Sequence, residues 1–255
     1  MSIVAIQQQL KILRMPEAAS YLEPLMAENK RGMNLDCLSQ LLQAEIESRK
    51  NRSIQNRIRS CRFPEITGLE NFDFTFNPEI SEEKIKNLFD LRFIDQKNIV
   101  LLLGPPGVGK THIATAIGLE AIYKGKRVFC SSMKRLANEI RLCKARNNLD
   151  FLFKKILSAH LWIIDDWGVV TLDKAIAEEV FDLIDRRKQT TSLILTSNRA
   201  IEEWAEVFPD AILANATVDR LFEQATIIVM NGKSYRLKSR INIESQSGID
   251  ILSKL

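Results

Sequence analysis

The sequence predicts an α/β fold, a five-stranded parallel sheet with helices on both faces, preceded by a small all-helical module. Three observations carry this. Short strand-like runs at residues 99–103, 127–130, 161–164, 193–196 and 226–230 alternate with helical stretches, the pattern of strands joined by helical crossovers. Residues 1 to about 66 have helical spacing instead. Pro64 and Gly68 punctuate the chain between the two patterns. A length of 255 residues suits one medium domain with a smaller one. The expected organisation is a helical module at 1–66, an α/β domain at 67–240 and a tail at 241–255.

Composition excludes several classes. Hydrophobic content of 45% and charge of 27% are ordinary for a soluble chain. No apolar run approaches the roughly eighteen residues of a membrane helix, and the N-terminus has no signal-peptide pattern. A cytoplasmic protein with no membrane partner is expected. Cys37, Cys61, Cys130 and Cys143 form no C-x-x-C pair, so reduced thiols are expected rather than zinc. The net charge of +4 is mild, so any nucleic-acid surface must come from local clustering.

In the N-terminal module, Leu10 and Leu13 precede Pro16, and Ala18, Tyr21, Leu22, Leu25 and Met26 repeat with helical spacing. Gly32 marks a stop and Asn34 a cap for the next helix. There Leu38, Leu42, Ile46, Ile54 and Ile58 lie at multiples of four and form one stripe. Arg49, Lys50, Arg52, Arg57, Arg59 and Arg62 place six cations in fourteen residues with no acid among them. Like charges on a helix repel, and a phosphate backbone would relieve that repulsion. A solvated helix face is the plainer explanation of such a run. No aromatics interleave, so contacts to a duplex backbone fit better than base stacking.

A linker follows, in which Phe72 and Phe74 could cover a purine base or pack on the core. Ser81-Glu82-Glu83 starts a helix through Ile85, Leu88 and Phe89. The run 99–103 then delivers Gly104-Pro105-Pro106-Gly107-Val108-Gly109-Lys110-Thr111. Between a strand and a helix this is a P-loop. Its glycines let backbone N–H groups curl around a phosphate, and the helix adds its positive end. Lys110 can reach the β- and γ-phosphates of a nucleoside triphosphate, and the Thr111 hydroxyl can hold Mg²⁺. His112, just inside the helix, is expected to pack. Gly125 stops that helix before the second strand.

The third strand ends in Asp165-Asp166, a Walker B pattern. Asp165 would join the Mg²⁺ shell and Asp166 would orient or deprotonate the attacking water. The fourth ends in Ser197-Asn198, where Asn198 could hold that water or simply form a turn. All these loops fall at the sheet edge where α/β folds bind ligands.

Taken in order, the P-loop, Asp165-Asp166, Ser197-Asn198 and the run Thr217-Val218-Asp219-Arg220-Leu221-Phe222 resemble the AAA+ ATPases. Within them the chain is similar to the branch holding DnaC-type helicase loaders and IstB-type transposition helper proteins. The IstB resemblance covers nearly the whole chain. It includes Leu13-Arg14-Met15-Pro16, Arg62-Phe63-Pro64, Asn71-Phe72-Asp73-Phe74, Gly109-Lys110-Thr111-His112 and Gly232-Lys233-Ser234-Tyr235-Arg236. It implies a protein that multimerises on duplex DNA with ATP, delivers target DNA to the transposase of the same element and stimulates insertion. Arg220 matches the arginine that reaches a neighbouring subunit's γ-phosphate. Met133 to Arg146 matches an extra helix for nucleic-acid contact, with Lys134, Arg135, Arg141, Lys144 and Arg146 against Glu139.

Two departures bear on activity. Asp166 stands where many AAA+ proteins have Glu, one methylene longer, so slow or DNA-dependent hydrolysis is expected. Only 25 residues follow the fifth strand, too few for a helical lid, so the lid's sensor arginine is expected to be missing. The stretch Ser239 to Leu255 is expected to be disordered or docked on a partner. A DnaC-type loader, binding a replicative helicase through the helical module, is the alternative reading. A small-molecule P-loop kinase would need neither Arg220 in trans nor DNA, and an ATP-gated DNA clamp would hardly turn over. A GTPase is disfavoured because no Asn-Lys-x-Asp follows the P-loop.

Overall fold

The computed structural model describes residues 2–28 and 35–237. Gly32, Asn34 and the tail at 241–255 lie outside the described residues. The chain divides into two compact units, Met1–Arg57 and Ile58–Leu255.

The first unit is helical. Helix α1 (Ile3–Ile12) is capped by Ser2, whose hydroxyl accepts the Ala5 N–H. Helix α2 (Pro16–Glu28) begins with proline, whose missing N–H costs nothing at that position. Helix α3 (Leu35–Cys61) brings Leu42 to a core with Ile6, Leu10, Leu13, Ala19 and Leu22. Tyr21, expected on the apolar stripe, is 60% exposed. It lies about 100° around the helix from the buried Leu22.

The second unit starts inside the last turn of α3. Residues expected to close the helical module pack here instead. Ile58 is buried, the Cys61 thiol donates to Val128 O at 3.0 Å, and Phe63 lies against Gly118. Then come α4 (Glu82–Leu88), α5 (Arg92–Asp95), β1 (Ile99–Leu103), α6 (Lys110–Tyr123), β2 (Val128–Ser132), α7 (Met133–Ala145), α8 (Leu149–Leu157), β3 (Leu161–Trp167), α9 (Lys174–Arg186), β4 (Ser192–Ser197), α10 (Ala211–Phe222) and β5 (Ala225–Val229). The starts of α4, α7, α9 and α10 are capped by Ser81, Ser132, Asp173 and Asp210, each accepting a first-turn N–H.

All strand pairings are parallel, in the order β2-β3-β4-β1-β5. Every residue of β1 is buried, as a strand covered on both faces requires. Ile99, Leu101 and Leu103 join one core with α7, α8, α9 and α10, in which Trp162, Trp167 and Trp204 are fully buried. This is the α/β architecture of a P-loop NTPase. Among the described residues no helix is long and apolar enough to cross a membrane.

The strand order fixes the site. Strand β4 lies between β1 and β3, so the end of β4 separates the P-loop from the two acids. β3 and β4 pair as Ile164 with Leu195, then as Trp167 with Ser197. Asp165 and Asp166 thus stand opposite Thr196 alone, which makes a β-bulge. Asp166 sits in it at φ +58°, a left-handed conformation in which bulged strands re-aim side chains.

Candidate functional site

The P-loop glycines do what their positions demand. Gly104, Gly107 and Gly109 have φ of 147°, 82° and 101°, backbone that glycine alone adopts freely. Crowding adds a second reason. A Cβ on Gly104 would come within 2.1 Å of Met230 O, and one on Gly109 within 2.4 Å of the Phe72 ring.

Lys110 opens α6, and its side chain folds into the loop. Its ammonium donates to Gly104 O at 2.8 Å and to Pro105 O at 2.7 Å. Burial lowers its pKa to about 8, against the opposing pull of Asp166 and Asp165, while Arg236 lowers it further. The next side chain, Thr111, donates its hydroxyl proton to Asp165 Oδ1 at 2.8 Å. The hydroxyl oxygen keeps its lone pairs for a cation.

That pairing fits Mg²⁺, which usually takes one or two carboxylates together with substrate phosphates. Among the described residues no group of three or more His, Cys, Asp or Glu forms an all-protein cage. Asp166 is aimed separately. Burial raises its carboxyl above the ordinary range, with Asp165 reinforcing the shift. Asn198 reaches Asp166 Oδ1 at 3.5 Å.

Lys110, Thr111, Asp165, Asp166 and Asn198 line one cavity of about 390 Å³. Phe72, Phe76, Asn77 and Tyr235 also line it. Phe72 leans edge-on against His112 at 5.4 Å, and the His112 Nε2 lies 2.9 Å from Gly68 O. Phe72 thus packs on the P-loop helix, as one expectation for the linker aromatics had it, and also walls the cavity. Phe74 packs against Phe72 at 4.7 Å.

Arg236 is the residue that pattern reading misses. The chain after β5 turns back over the P-loop, where the Tyr235 N–H donates to Gly107 O at 2.9 Å. Asn77 clamps it from the other side. Its amide donates to Lys233 O at 3.0 Å and accepts the Lys233 N–H at 2.9 Å. The result places Arg236 on the cavity wall. The clue was Gly232, whose φ of 138° lets the chain turn, but no local pattern says where the turn leads.

Arg220 stands elsewhere. On α10 it pairs with Asp185 at 2.8 Å and with Glu223 at 3.8 Å, and it does not line the cavity. Arg220 is half-exposed there, and such surface pairs hold a side chain by no more than about 1 kcal/mol. The pairing leaves Arg220 available for other partners.

The two cationic stretches differ in how far they are committed. On α3, Arg49 donates to Glu45 at 2.6 Å and to Leu13 O at 2.9 Å, and Arg52 lies 3.7 Å from Glu45. Glu45, one turn before the run, is the acid that counting from Arg49 overlooks. Lys50, Arg59 and Arg62 are exposed, while Arg57 is half-buried. On α7, Arg141 pairs with Asp173 at 3.0 Å and Lys144 with Glu179 at 2.7 Å. Arg135 folds back onto Cys130 O and Ser131 Oγ. Lys134 and Arg146 are exposed.

The cavity is lined by the P-loop and by the ends of β3 and β4, and sequence comparison decides the family. The model described as IstB-like ATP binding protein matches residues 5–243. The chain belongs to this IstB-like family. An insertion-sequence IS21 ATP-binding protein of Pseudomonas aeruginosa is 36% identical over 91% of this chain and 88% of its own length. The IS5376 counterpart of Geobacillus stearothermophilus is 38% identical over 84% and 87%.

Solved structures share the fold of this IstB-type chain at lower identity. DnaI matches with a TM-score of 0.54 at 18% identity, over 71% of this chain and 92% of its own. DnaA bound to AMPPCP and single-stranded DNA matches with 0.56 at 21%, over 74% and 57%. The chain is thus an IstB-like ATP binding protein whose α/β fold is shared with DnaI and DnaA.

Proposed function

We propose that this protein is a Mg²⁺-dependent ATPase that multimerises on duplex DNA and delivers it to the transposase of the same element. The observation that carries the reading is the cavity itself. A phosphate cradle, a cation pair and a separately aimed carboxylate converge on it from the ends of β1, β3 and β4.

In this reading Lys110 and the loop N–H groups bind the β- and γ-phosphates. Thr111 and Asp165 hold Mg²⁺, which neutralises phosphate charge when bound. Asp166 orients the attacking water with Asn198, and its raised pKa suits proton abstraction better than an ordinary aspartate would. Arg236 reaches the phosphates from the subunit's own chain. Arg220, outside that cavity, serves a neighbour's.

The exposed cations of α3, with Lys134 and Arg146, supply contacts to the DNA backbone. The insertion-sequence relatives support the transposition role over helicase loading, because the likeness to DnaI is one of fold alone. ATP hydrolysis and particle size, measured with and without duplex DNA, test the proposal. DNA should raise both, and ATP-independent monomers on DNA would overturn it.

A further inference from the structure

We propose that Thr196 is the positioning residue that assigns the two acids their separate tasks. It stands one strand away from them, on β4, and is 1% exposed. Its hydroxyl makes two hydrogen bonds, one to each member of the pair. It donates to Asp165 Oδ1 at 2.6 Å and accepts the backbone N–H of Asp166 at 3.0 Å.

The directions are forced. A backbone N–H can only donate, so the hydroxyl oxygen must accept from Asp166. The single hydroxyl proton is then left for Asp165, whose ionised carboxylate can only accept. Two hydroxyls, from Thr111 and Thr196, therefore converge on one oxygen of Asp165. They lock the carboxylate from the P-loop side and the β4 side.

The second bond acts on Asp166 through its backbone. On the β4 side of the bulge Asp165 and Asp166 face Thr196 alone, while Asp165 also pairs with Ser132 of β2. Thr196 supplies the acceptor for the Asp166 amide where the chain turns left-handed at φ +58°. An aspartate tolerates that conformation better than most residues but still gains from an anchor. So anchored, the Asp166 carboxylate meets the Asn198 amide at 3.5 Å.

This inference rests on the nucleotide-site reading, and the test separates the two. Binding of a fluorescent ATP analogue to the full chain is measured against Mg²⁺ concentration, together with kcat and KM. Lys110→Ala is the control for the site. If the wild type shows no Mg²⁺-dependent binding that Lys110→Ala removes, the site reading fails. Given that dependence, Thr196→Val should keep metal-free nucleotide binding. It should raise the Mg²⁺ half-saturation and lower kcat, with little change in KM, by about 10- to 100-fold.

Thr196→Ser retains the hydroxyl and should recover most of both effects. A wild-type Mg²⁺ response in Thr196→Val, or equal damage in Thr196→Ser, would overturn the assignment. A measurement on the unmodified chain covers the case in which Thr196→Val does not fold. The Asp166 amide should be protected from hydrogen exchange, and an unprotected amide would refute its bond to Thr196.

Discussion

The loop ends of β1, β3 and β4 and the cationic stretch of α3 use polar residues in opposite ways. At the loop ends few groups act, and two of them are each held by a pair of partners. Asp165 accepts two hydroxyls, and Lys110 donates to two carbonyls. On α3 many like charges sit on one helix, and their availability depends on neighbours that the run does not contain. Glu45 engages Arg49 and Arg52. Glu179 and Asp173 do the same for α7. A chemical site is thus specified by geometry, and an electrostatic surface by what remains unpaired.

The contrast predicts large effects at the first region and graded ones at the second. The largest effect falls at Arg220, which lies outside both regions but is proposed to complete the first region of a neighbouring subunit. An arginine at the transition state contributes about 10³ to 10⁵ in rate. Arg220→Ala should lose DNA-stimulated hydrolysis by that order in a turnover assay, while ATP binding stays near wild type. Next comes Asp166→Asn, expected to lower kcat by about 10² to 10⁴. It should still bind ATP and assemble on DNA in sedimentation. Lys110→Ala removes charge-assisted hydrogen bonds of about 1.5–3 kcal/mol each. Its ATP affinity should fall at least tenfold by fluorescence titration, with the fold kept.

Titration sharpens the same region. In the proposed mechanism Lys110 binds phosphate as an ammonium, and burial lowers its pKa to about 8. ATP affinity should therefore be full below that pH and weaken as pH rises through it. Asp166 acts as a carboxylate and its pKa is raised. The kcat should therefore fall on acidification at a higher pH than an ordinary aspartate would give. A pH series of affinity and kcat checks both signs.

The smallest effects belong to the helices. Lys50→Ala with Arg59→Ala should reduce the salt slope of log K for duplex DNA by roughly 0.9 per lost phosphate contact. Arg141→Ala with Lys144→Ala should change it less, because those cations already face acids of α9. Equal slopes for the two double variants would erase the distinction.

The same contrast explains what the sequence made legible. The five strands stood out because apolar runs bounded by glycine, acid or polar ends are local patterns. The P-loop stood out because its glycines answer a backbone requirement carried within eight residues. The bulge at Asp165-Asp166 did not, since nothing in Ile-Ile-Asp-Asp-Trp distinguishes a regular strand end from one with a left-handed residue. Thr196 read only as strand, and its role exists only once β4 lies beside β3. Arg236 closes the run Gly232-Lys233-Ser234-Tyr235-Arg236, yet its place depends on Asn77, far away in sequence. The helical module was legible in content but not in register, as the exposed Tyr21 shows.

The shared ATP site is tested most directly by mixing two inactive variants on duplex DNA. Arg220→Ala lacks the arginine offered to a neighbour, and Lys110→Ala lacks bound nucleotide but keeps that arginine. Hydrolysis by the mixture should recover part of the wild-type rate, because Lys110→Ala subunits complete the sites of Arg220→Ala subunits. A mixture that forms joint assemblies and stays inactive, or normal hydrolysis by Arg220→Ala alone, would contradict the account.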